Sequence, residues 1–272
     1  MSIWNPWHGC TRLSRGCAGC TVFRVDAAHG RNTTFVRKTQ NFDLPLRRSR
    51  RKEYRLAPED GIVETCCTSD FFHPDADPWR PEAWAMMKER QDLTFLIITK
   101  RPERFYVGLP EDWGDGYGNV ILGCSCESQY TADRRLPVFL RLPVQTKRII
   151  LEPMLQRINL EKYLEKYHAG IDMVVCGGES GDGARPLDYA WVIEMNIQCV
   201  KYGVPFRFFR TGTNFIRGGR KYTIGKKEQA DQAARACIDY SGNLEGRIPT
   251  ERGIIYVDSS CHSQLYQNQC LP

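Results

Sequence analysis

The chain has 272 residues, a formal net charge of +6 and 42% hydrophobic residues, values that suit a globular protein of one or two domains. No stretch approaches the roughly 18 uninterrupted apolar residues of a membrane-spanning helix, and the N-terminus lacks the pattern of a secretory signal. We therefore predict a cytoplasmic protein without a membrane partner. In that compartment, the twelve cysteines serve as metal ligands and buried thiols rather than as disulfides.

Three cysteines stand close together near the N-terminus. Cys10, Cys17 and Cys20 have the spacing C-x6-C-x2-C in a segment rich in glycine and basic residues. Thiolates at this spacing select zinc or an iron–sulfur cluster. A cubane cluster held by three thiolates leaves one iron open, and an open metal position is typical of catalysis. Zinc instead needs a fourth ligand, for which the candidates are His8, His29, Cys66 and Cys67.

Residues 37–55 form the most basic segment of the chain. They contain eight arginines and lysines and two acidic residues. Such a block can lie along the phosphates of a nucleic acid, or it can be an ordinary solvated surface. The sequence leaves both interpretations open.

Short apolar runs rich in β-branched residues recur along the rest of the chain. Helical segments separate several of them, most clearly residues 78–91 and 188–203. This alternation predicts an α/β fold with a parallel sheet, and we favour a complete or partial (β/α) TIM-type barrel over an open doubly wound sheet. The predicted strands lie within residues 61–72, 93–100, 118–128, 146–154, 172–180 and 204–209.

Most of the predicted strands end in polar or ionisable residues. Chemistry in a parallel barrel takes place where the strands end, so these positions are candidate site residues. A carboxylate buried there, such as Glu152, needs a cationic partner. The cysteines in or beside the strands are expected to be small core residues, although one of them can act as a hydrogen donor. The strand-end candidates are Ser69, Asp70, Thr99, Lys100, Ser125, Glu127, Glu152, Gly177, Gly178 and Glu179.

Positive charge also gathers late in the chain, and the texture of the sequence changes after residue 240. Arg185 and the arginines of residues 207–222, interleaved with aromatics, suit a phosphate and a stacked base, with a basic solvated rim as the alternative. We predict a barrel domain over residues 1–240, with the cysteine segment at its N-terminus. Residues 241–272 are then a tail or small appendage.

Seven segments, in a fixed order, carry a resemblance to a known family. They are WNPWHGCTRLSRGC, TSDFFHPD, TFLIITKRPERF, VILGCSCES, ADRRLP, EPML and VVCGGESGDGARP. Over about residues 4–240, the chain resembles the phage- and mobile-element-associated branch of the radical S-adenosylmethionine (radical SAM) superfamily. Within that branch it is similar to the radical SAM mobile pair proteins.

The resemblance implies a radical SAM barrel in which Cys10, Cys17 and Cys20 hold a [4Fe–4S] cluster. S-adenosyl-L-methionine (AdoMet) would chelate the open iron and be cleaved reductively to methionine and a 5′-deoxyadenosyl radical. It further implies an electron donor such as flavodoxin or ferredoxin, and a second protein from the mobile gene pair. Two features depart from the commonest pattern. The spacing of that pattern is C-x3-C-x2-C, and many relatives carry an aromatic residue where Gly19 or Thr21 stands here.

The resemblance also suggests roles for the strand-end residues. GGES at Gly177–Ser180 is similar to a glycine-glycine-glutamate motif that holds AdoMet, although it follows a late strand; a glycine-rich turn whose glutamate caps a helix is the alternative. Lys100 or Arg101 would pair with the AdoMet carboxylate or a substrate phosphate, unless they form an exposed loop pair. The predicted cofactor-binding residues are Ser69, Asp70, Lys100, Ser125, Glu127, Gly177 and Gly178, and the predicted catalytic residues are Glu179, Glu152 and Cys126.

Together these features predict a radical SAM enzyme whose substrate is unknown, with a nucleic acid or nucleotide as the candidate class. The alternative is a zinc- or iron–sulfur-containing nucleic-acid-binding protein without catalysis. A third hypothesis is an iron–sulfur protein that has lost AdoMet turnover and acts as a scaffold or redox sensor.

Overall fold

The structure is a computed structural model that describes residues 2–242 and the backbone of residues 247–250 and 253–256. The predicted tail, residues 241–272, lies mostly outside the described residues, so its role stays a prediction. Within the described residues, no helix is long and apolar enough to cross a membrane. The chain divides into two compact units, residues 1–150 and 151–272.

The first unit is built on parallel strands joined by helices. Its strands are β1 (Ser2–Trp4), β2 (Trp7–His8), β3 (Arg37–Lys38), β4 (Ile62–Thr65), β5 (Thr94–Thr99), β6 (Val120–Ser125) and β7 (Thr146–Leu151), the last ending one residue past the boundary. Its helices are α1 (Thr21–Ala28), α2 (Arg80–Glu89) and α3 (Gln129–Phe139). Short 3-10 helices cover Arg15–Cys17, Pro58–Asp60, Pro74–Trp79 and Pro102–Arg104.

The core of the first unit follows from the strand sequences. All six residues of β6 are buried, as expected for a central parallel strand covered on both faces. In β5, by contrast, Phe95, Ile97 and Thr99 are buried while the alternate residues are less so. A cluster of aromatic rings supports this sheet, its members lying about 5 to 6 Å apart between ring centroids. The cluster contains Phe71, Phe72, Trp84, Phe105 and Trp113.

The second unit contains the remaining elements. Its strands are β8 (Met173–Gly177), β9 (Leu187–Asp188), β10 (Phe206–Arg210), β11 (Asn214–Arg217), β12 (Arg220–Thr223), β13 (Arg247–Thr250) and β14 (Gly253–Tyr256). Its helices are α4 (Glu161–Tyr167), α5 (Tyr189–Lys201) and α6 (Gln229–Ala234), with a 3-10 turn at His168–Gly170. Strand β11 pairs in parallel with β9 and antiparallel with β12, which makes a small separate sheet.

The largest sheet has seven strands in the order β1-β4-β5-β6-β7-β8-β10, all parallel and curled into a half-barrel. The prediction of an α/β fold with a partial TIM-type barrel is therefore confirmed. Each of the six predicted strand segments overlaps a strand, and the two clearest helical segments correspond to α2 and α5. Strand β1 was not predicted, because three residues are too few to show a period.

Candidate functional site

The cysteine loop, residues 9–20, lies at the carboxyl ends of strands in the first unit. The Gly9 amide donates to the Thr68 carbonyl at 3.2 Å, and the Ser69 hydroxyl donates to the Gly9 carbonyl. The Gly16 amide donates to Oε1 of Glu127 at 3.3 Å. Thr68 and Ser69 follow β4, and Glu127 follows β6. The polar strand ends expected to form a site therefore hold this loop.

Arg101 is the cation that contacts the first thiol. It is 4% exposed, which excludes the exposed-loop interpretation of this residue. One guanidinium nitrogen lies 3.8 Å from Sγ of Cys10, and the other donates to the carbonyl and hydroxyl of Thr11 at 3.1 and 2.9 Å. Burial raises the pKa of Cys10, and Arg101 offsets only part of that rise.

Cys17 lies in a different electrostatic environment. Burial raises the pKa of its thiol, but backbone hydrogen bonds from Leu13 and Ser14 and the charge of Lys100 leave that pKa below its ordinary value. Nζ of Lys100 donates to Oγ of Ser125 at 2.9 Å, which connects two predicted cofactor-binding residues. A cation thus stands near each of these two thiols.

Asp70 organises the residues around Arg101. Its carboxylate accepts from the Thr99 hydroxyl at 2.7 Å, from the Lys100 amide at 2.9 Å and from the Phe72 amide at 3.0 Å. Arg101 lies 3.1 Å from the same carboxylate. A carboxylate has about four lone-pair positions, so this buried group is fully engaged by the protein. Its role towards AdoMet stays a prediction.

Glu127 is buried and ties the cysteine loop to the end of β6. Besides the Gly16 amide, its carboxylate accepts from Arg135 at 2.8 Å. Burial raises the pKa of Glu127, but hydrogen bonds from Ser14 and Arg135 lower it below its ordinary value. A Cβ atom at Gly16 would lie 2.9 Å from the Glu127 side chain, so this close approach requires glycine.

Asp26 is a buried residue that the sequence did not single out. It lies on α1, the helix that begins directly after Cys20. Its carboxylate accepts from Nε of Arg31 and contacts Nε2 of His8, both at 2.8 Å. Burial opposes ionisation, yet these hydrogen bonds lower the pKa of Asp26 to about 2. The pair His8–Asp26 joins the two ends of the cysteine loop. His8 therefore has a structural partner, whereas His29, the other histidine considered as a zinc ligand, contacts the Val25 carbonyl.

The three cysteines have the donor chemistry of a thiolate-ligated metal centre. All three are free and partly exposed on one loop, and the charge of Cys17 acts on the pKa of Cys10. Among the described residues, no three His, Cys, Asp or Glu side chains stand in the arrangement of ligands to one metal ion. The donor set fits a cluster chemically, and the ligand assignment stays a prediction.

Two carboxylates of the second unit are paired with arginines. Glu152 lies 2.6 Å from Nε of Arg210, the cationic partner that its position requires. Glu179 is 8% exposed and accepts from the backbone amide and Nε of Arg185 at 2.9 and 2.8 Å. Glu179 thus binds Arg185, six residues further along the chain. The residue that caps the N-terminus of helix α5 is Asp188.

The glycines of GGES have a packing role. A Cβ atom at Gly178 would lie 2.2 Å from the Thr211 carbonyl oxygen, and one at Gly177 would lie 3.0 Å from the Glu152 side chain. Close backbone approach therefore suffices to explain Gly178, whereas Gly177 packs against side chains. Their predicted contact with AdoMet is a separate, untested role.

The remaining cysteines are mostly core residues, as predicted. Cys66, Cys124, Cys126 and Cys176 are buried, and the sulfur of Cys124, in β6, lies 3.9 Å from that of Cys126, just after the strand. Cys67, however, is exposed, and partial desolvation together with the neighbouring Glu64 carboxylate raises its pKa to about 12.

Fold and site together define an α/β half-barrel protein whose first unit carries a thiol-bearing loop at its strand ends. The profile of a family described as "Protein of unknown function (DUF5131)" matches residues 1–241, and the chain therefore belongs to the DUF5131 family. No curated protein and no solved structure matches it.

Proposed function

We propose that this protein is a radical SAM enzyme that binds a [4Fe–4S] cluster through Cys10, Cys17 and Cys20 and modifies a nucleic acid or nucleotide. The observation that carries the proposal is the placement of three free thiols on one loop at the strand ends, with Arg101 and Lys100 beside two of them. Cations stabilise the anionic thiolates of such a centre whichever metal it holds, and the resemblance to radical SAM proteins favours an iron–sulfur cluster over zinc.

A bound cluster with AdoMet supplies reductive cleavage of the sulfonium to methionine and a 5′-deoxyadenosyl radical, with flavodoxin or ferredoxin as the electron donor. The chain's own residues hold and position this chemistry. Arg101 neutralises charge at Cys10, and Glu127 and Asp26 hold the loop. Lys100, which bonds Ser125, is proposed to pair with the AdoMet carboxylate.

In the second unit, Glu152 and Glu179 are proposed to act on the substrate. Each carboxylate is paired with an arginine, Glu152 with Arg210 and Glu179 with Arg185. Carboxylates suit proton acceptance and hydrogen bonding to ribose or amine groups. A second protein from the mobile gene pair is proposed to complete the activity.

The test uses anaerobically purified protein reconstituted with iron and sulfide. We expect bound iron and sulfide, a cluster signal in electron paramagnetic resonance after reduction, and 5′-deoxyadenosine when AdoMet and dithionite are added. The triple change Cys10→Ala, Cys17→Ala and Cys20→Ala should abolish all three. The control is Cys237→Ala, which removes an exposed thiol of the second unit.

Each other outcome selects a different function. Stoichiometric zinc in place of iron would overturn the radical mechanism and favour a zinc-stabilised nucleic-acid-binding protein. A full cluster without 5′-deoxyadenosine, even with candidate partner proteins added, would identify a scaffold or redox sensor. Wild-type iron and sulfide in the triple variant would refute the ligand assignment.

A further inference from the structure

The basic hairpin, residues 47–55, is a surface feature that the proposed chemistry does not use. Arg48 and Tyr54 form an antiparallel bridge, and the Arg55 amide donates to the Arg47 carbonyl at 2.9 Å. The Ser49 amide donates to the Glu53 carbonyl at 2.7 Å and closes the turn. The exposed basic residues of the hairpin are Arg48, Arg50, Arg51, Lys52 and Arg55.

A buried arginine clamps the base of this hairpin. Arg90 is 1% exposed and donates to the carbonyls of Pro45 and Leu56, the latter at 2.7 Å. These carbonyls flank the hairpin on its two sides. The Asp92 carboxylate neutralises the charge of Arg90 and accepts hydrogen bonds from it at 2.8 and 2.7 Å. The hairpin is therefore a braced projection whose two sides are tied together.

The charges at the end of the projection have no internal counterion. Among the described residues, Arg50, Arg51, Lys52 and Arg55 form no ion pair. The one carboxylate within the hairpin, Glu53, is exposed as well. Lys52 adopts a left-handed backbone conformation (φ 66°), which favours glycine or asparagine. The turn thus carries a lysine, Lys52, at a position whose backbone conformation suits glycine or asparagine better.

We propose that the basic hairpin binds the phosphate backbone of a nucleic acid without reading its base sequence. Arg48 and Arg90 each lie 3.9 Å from the centre of the Tyr54 ring, so the one aromatic ring of the hairpin already contacts two guanidinium groups. Phosphate contacts alone position a nucleic acid and carry no sequence information. The hairpin also offers no aliphatic side chain for insertion into a bilayer.

The test measures binding of the full chain, as purified, to a fluorescent DNA duplex of about 20 base pairs by anisotropy, at about 50 to 200 mM salt. We expect equal affinity for two unrelated sequences. The variant Arg50→Gln, Arg51→Gln, Lys52→Gln should bind about tenfold or more weakly, and its salt slope should fall by about 3, near 0.9 for each lost phosphate contact. The single change Arg55→Gln should reduce that slope by about 1.

A matched control removes the same charge from the second unit, through Lys226→Gln, Lys227→Gln and Arg235→Gln, three exposed residues outside the arginine-rich stretch 207–222. Equal weakening by both triple variants would show that net charge, not the hairpin, governs binding, and would overturn the proposal. Absence of duplex binding, or binding only to vesicles containing phosphatidylserine, would overturn it as well. Because the assay needs neither cluster nor AdoMet, its failure would leave the cluster and AdoMet chemistry of the proposed function unaffected and would count only against a nucleic acid as substrate.

Discussion

At the scale of single residues, the buried guanidinium of Arg101 has the greatest consequence for the site. It contacts Cys10 and Asp70 together, and both contacts depend on its position just after β5. An arginine is suited to this place because its planar fork can bind a thiolate, a carboxylate and a backbone carbonyl at the same time.

We predict that Arg101→Gln makes the Cys10 thiol less reactive in the metal-free protein. Burial already raises the pKa of Cys10, and loss of the cation beside the Asp70 carboxylate raises that pKa further. The rate of alkylation of Cys10 by iodoacetamide near pH 8 should fall by about tenfold. Mass spectrometry of the peptide that contains Cys10 measures this rate. Arg104→Gln is the control, since Arg104 bonds Phe72 and Asp77 instead. An unchanged Cys10 rate would contradict the assigned contact.

At the scale of secondary-structure elements, Asp26 joins α1 to β2 and thereby fixes both ends of the cysteine loop. Its folded pKa of about 2 lies below the ordinary value of 3.8, so the ionised group stabilises the protein above about pH 4. That contribution is lost as the pH falls towards 2.

We predict that Asp26→Asn lowers the free energy of unfolding by about 2 kcal/mol near pH 6. The difference from wild type should narrow as the pH falls from about 4 towards 2, because the wild-type carboxyl becomes protonated there. Urea unfolding at several pH values provides the measurement. Asp43→Asn removes an exposed ion pair with Arg47 and should change stability by less than about 1 kcal/mol. A pH-independent difference would refute the assigned pKa.

The turn after β8 allows a second prediction at this scale. Gly178→Ala should destabilise the protein by about 2 kcal/mol or more, because its Cβ would lie 2.2 Å from the Thr211 carbonyl oxygen. Gly170→Ala is the matched control, since no atom lies within 4 Å of a Cβ there. The test compares the thermal unfolding temperatures of the two variants with that of the wild type. If Gly178→Ala were as stable as the control, the packing explanation for this glycine would fail.

At the scale of the whole molecule, residues 238–240 pack against β10 and α5 of the second unit. Phe206 and Tyr240 exchange two backbone hydrogen bonds of 2.8 Å, and Tyr240 is buried. Nδ2 of Asn196 donates to the Ile238 carbonyl at 2.7 Å. These contacts complete the edge of β10 and the packing of α5.

We therefore predict that a chain ending at residue 236 unfolds at a markedly lower temperature than one ending at residue 242. The difference should be roughly 10 °C, because the shorter chain loses two buried side chains and several backbone hydrogen bonds. Differential scanning calorimetry of the two truncated chains measures this directly. Equal unfolding temperatures would show that residues 237–242 add nothing to the second unit.

The sequence by itself determined the class of fold, the position of most strands and the loop that carries the thiols. Apolar runs of strand length and the cysteine spacing are local properties of the sequence, and such patterns can be recognised without knowledge of tertiary contacts. Polar strand ends were predictable for the same reason, since parallel strands bring their carboxyl ends to one edge.

Tertiary structure alone decided which residues meet at the site. His8 and Asp26 lie 18 residues apart, Cys10 and Arg101 lie 91 apart, and Gly16 and Glu127 lie 111 apart. Such pairs depend on which strands become neighbours and in what register, and neither follows from local periodicity. The burial of Arg90 and Arg101 has the same origin: an arginine can leave water only where distant carbonyls and carboxylates converge to bind it.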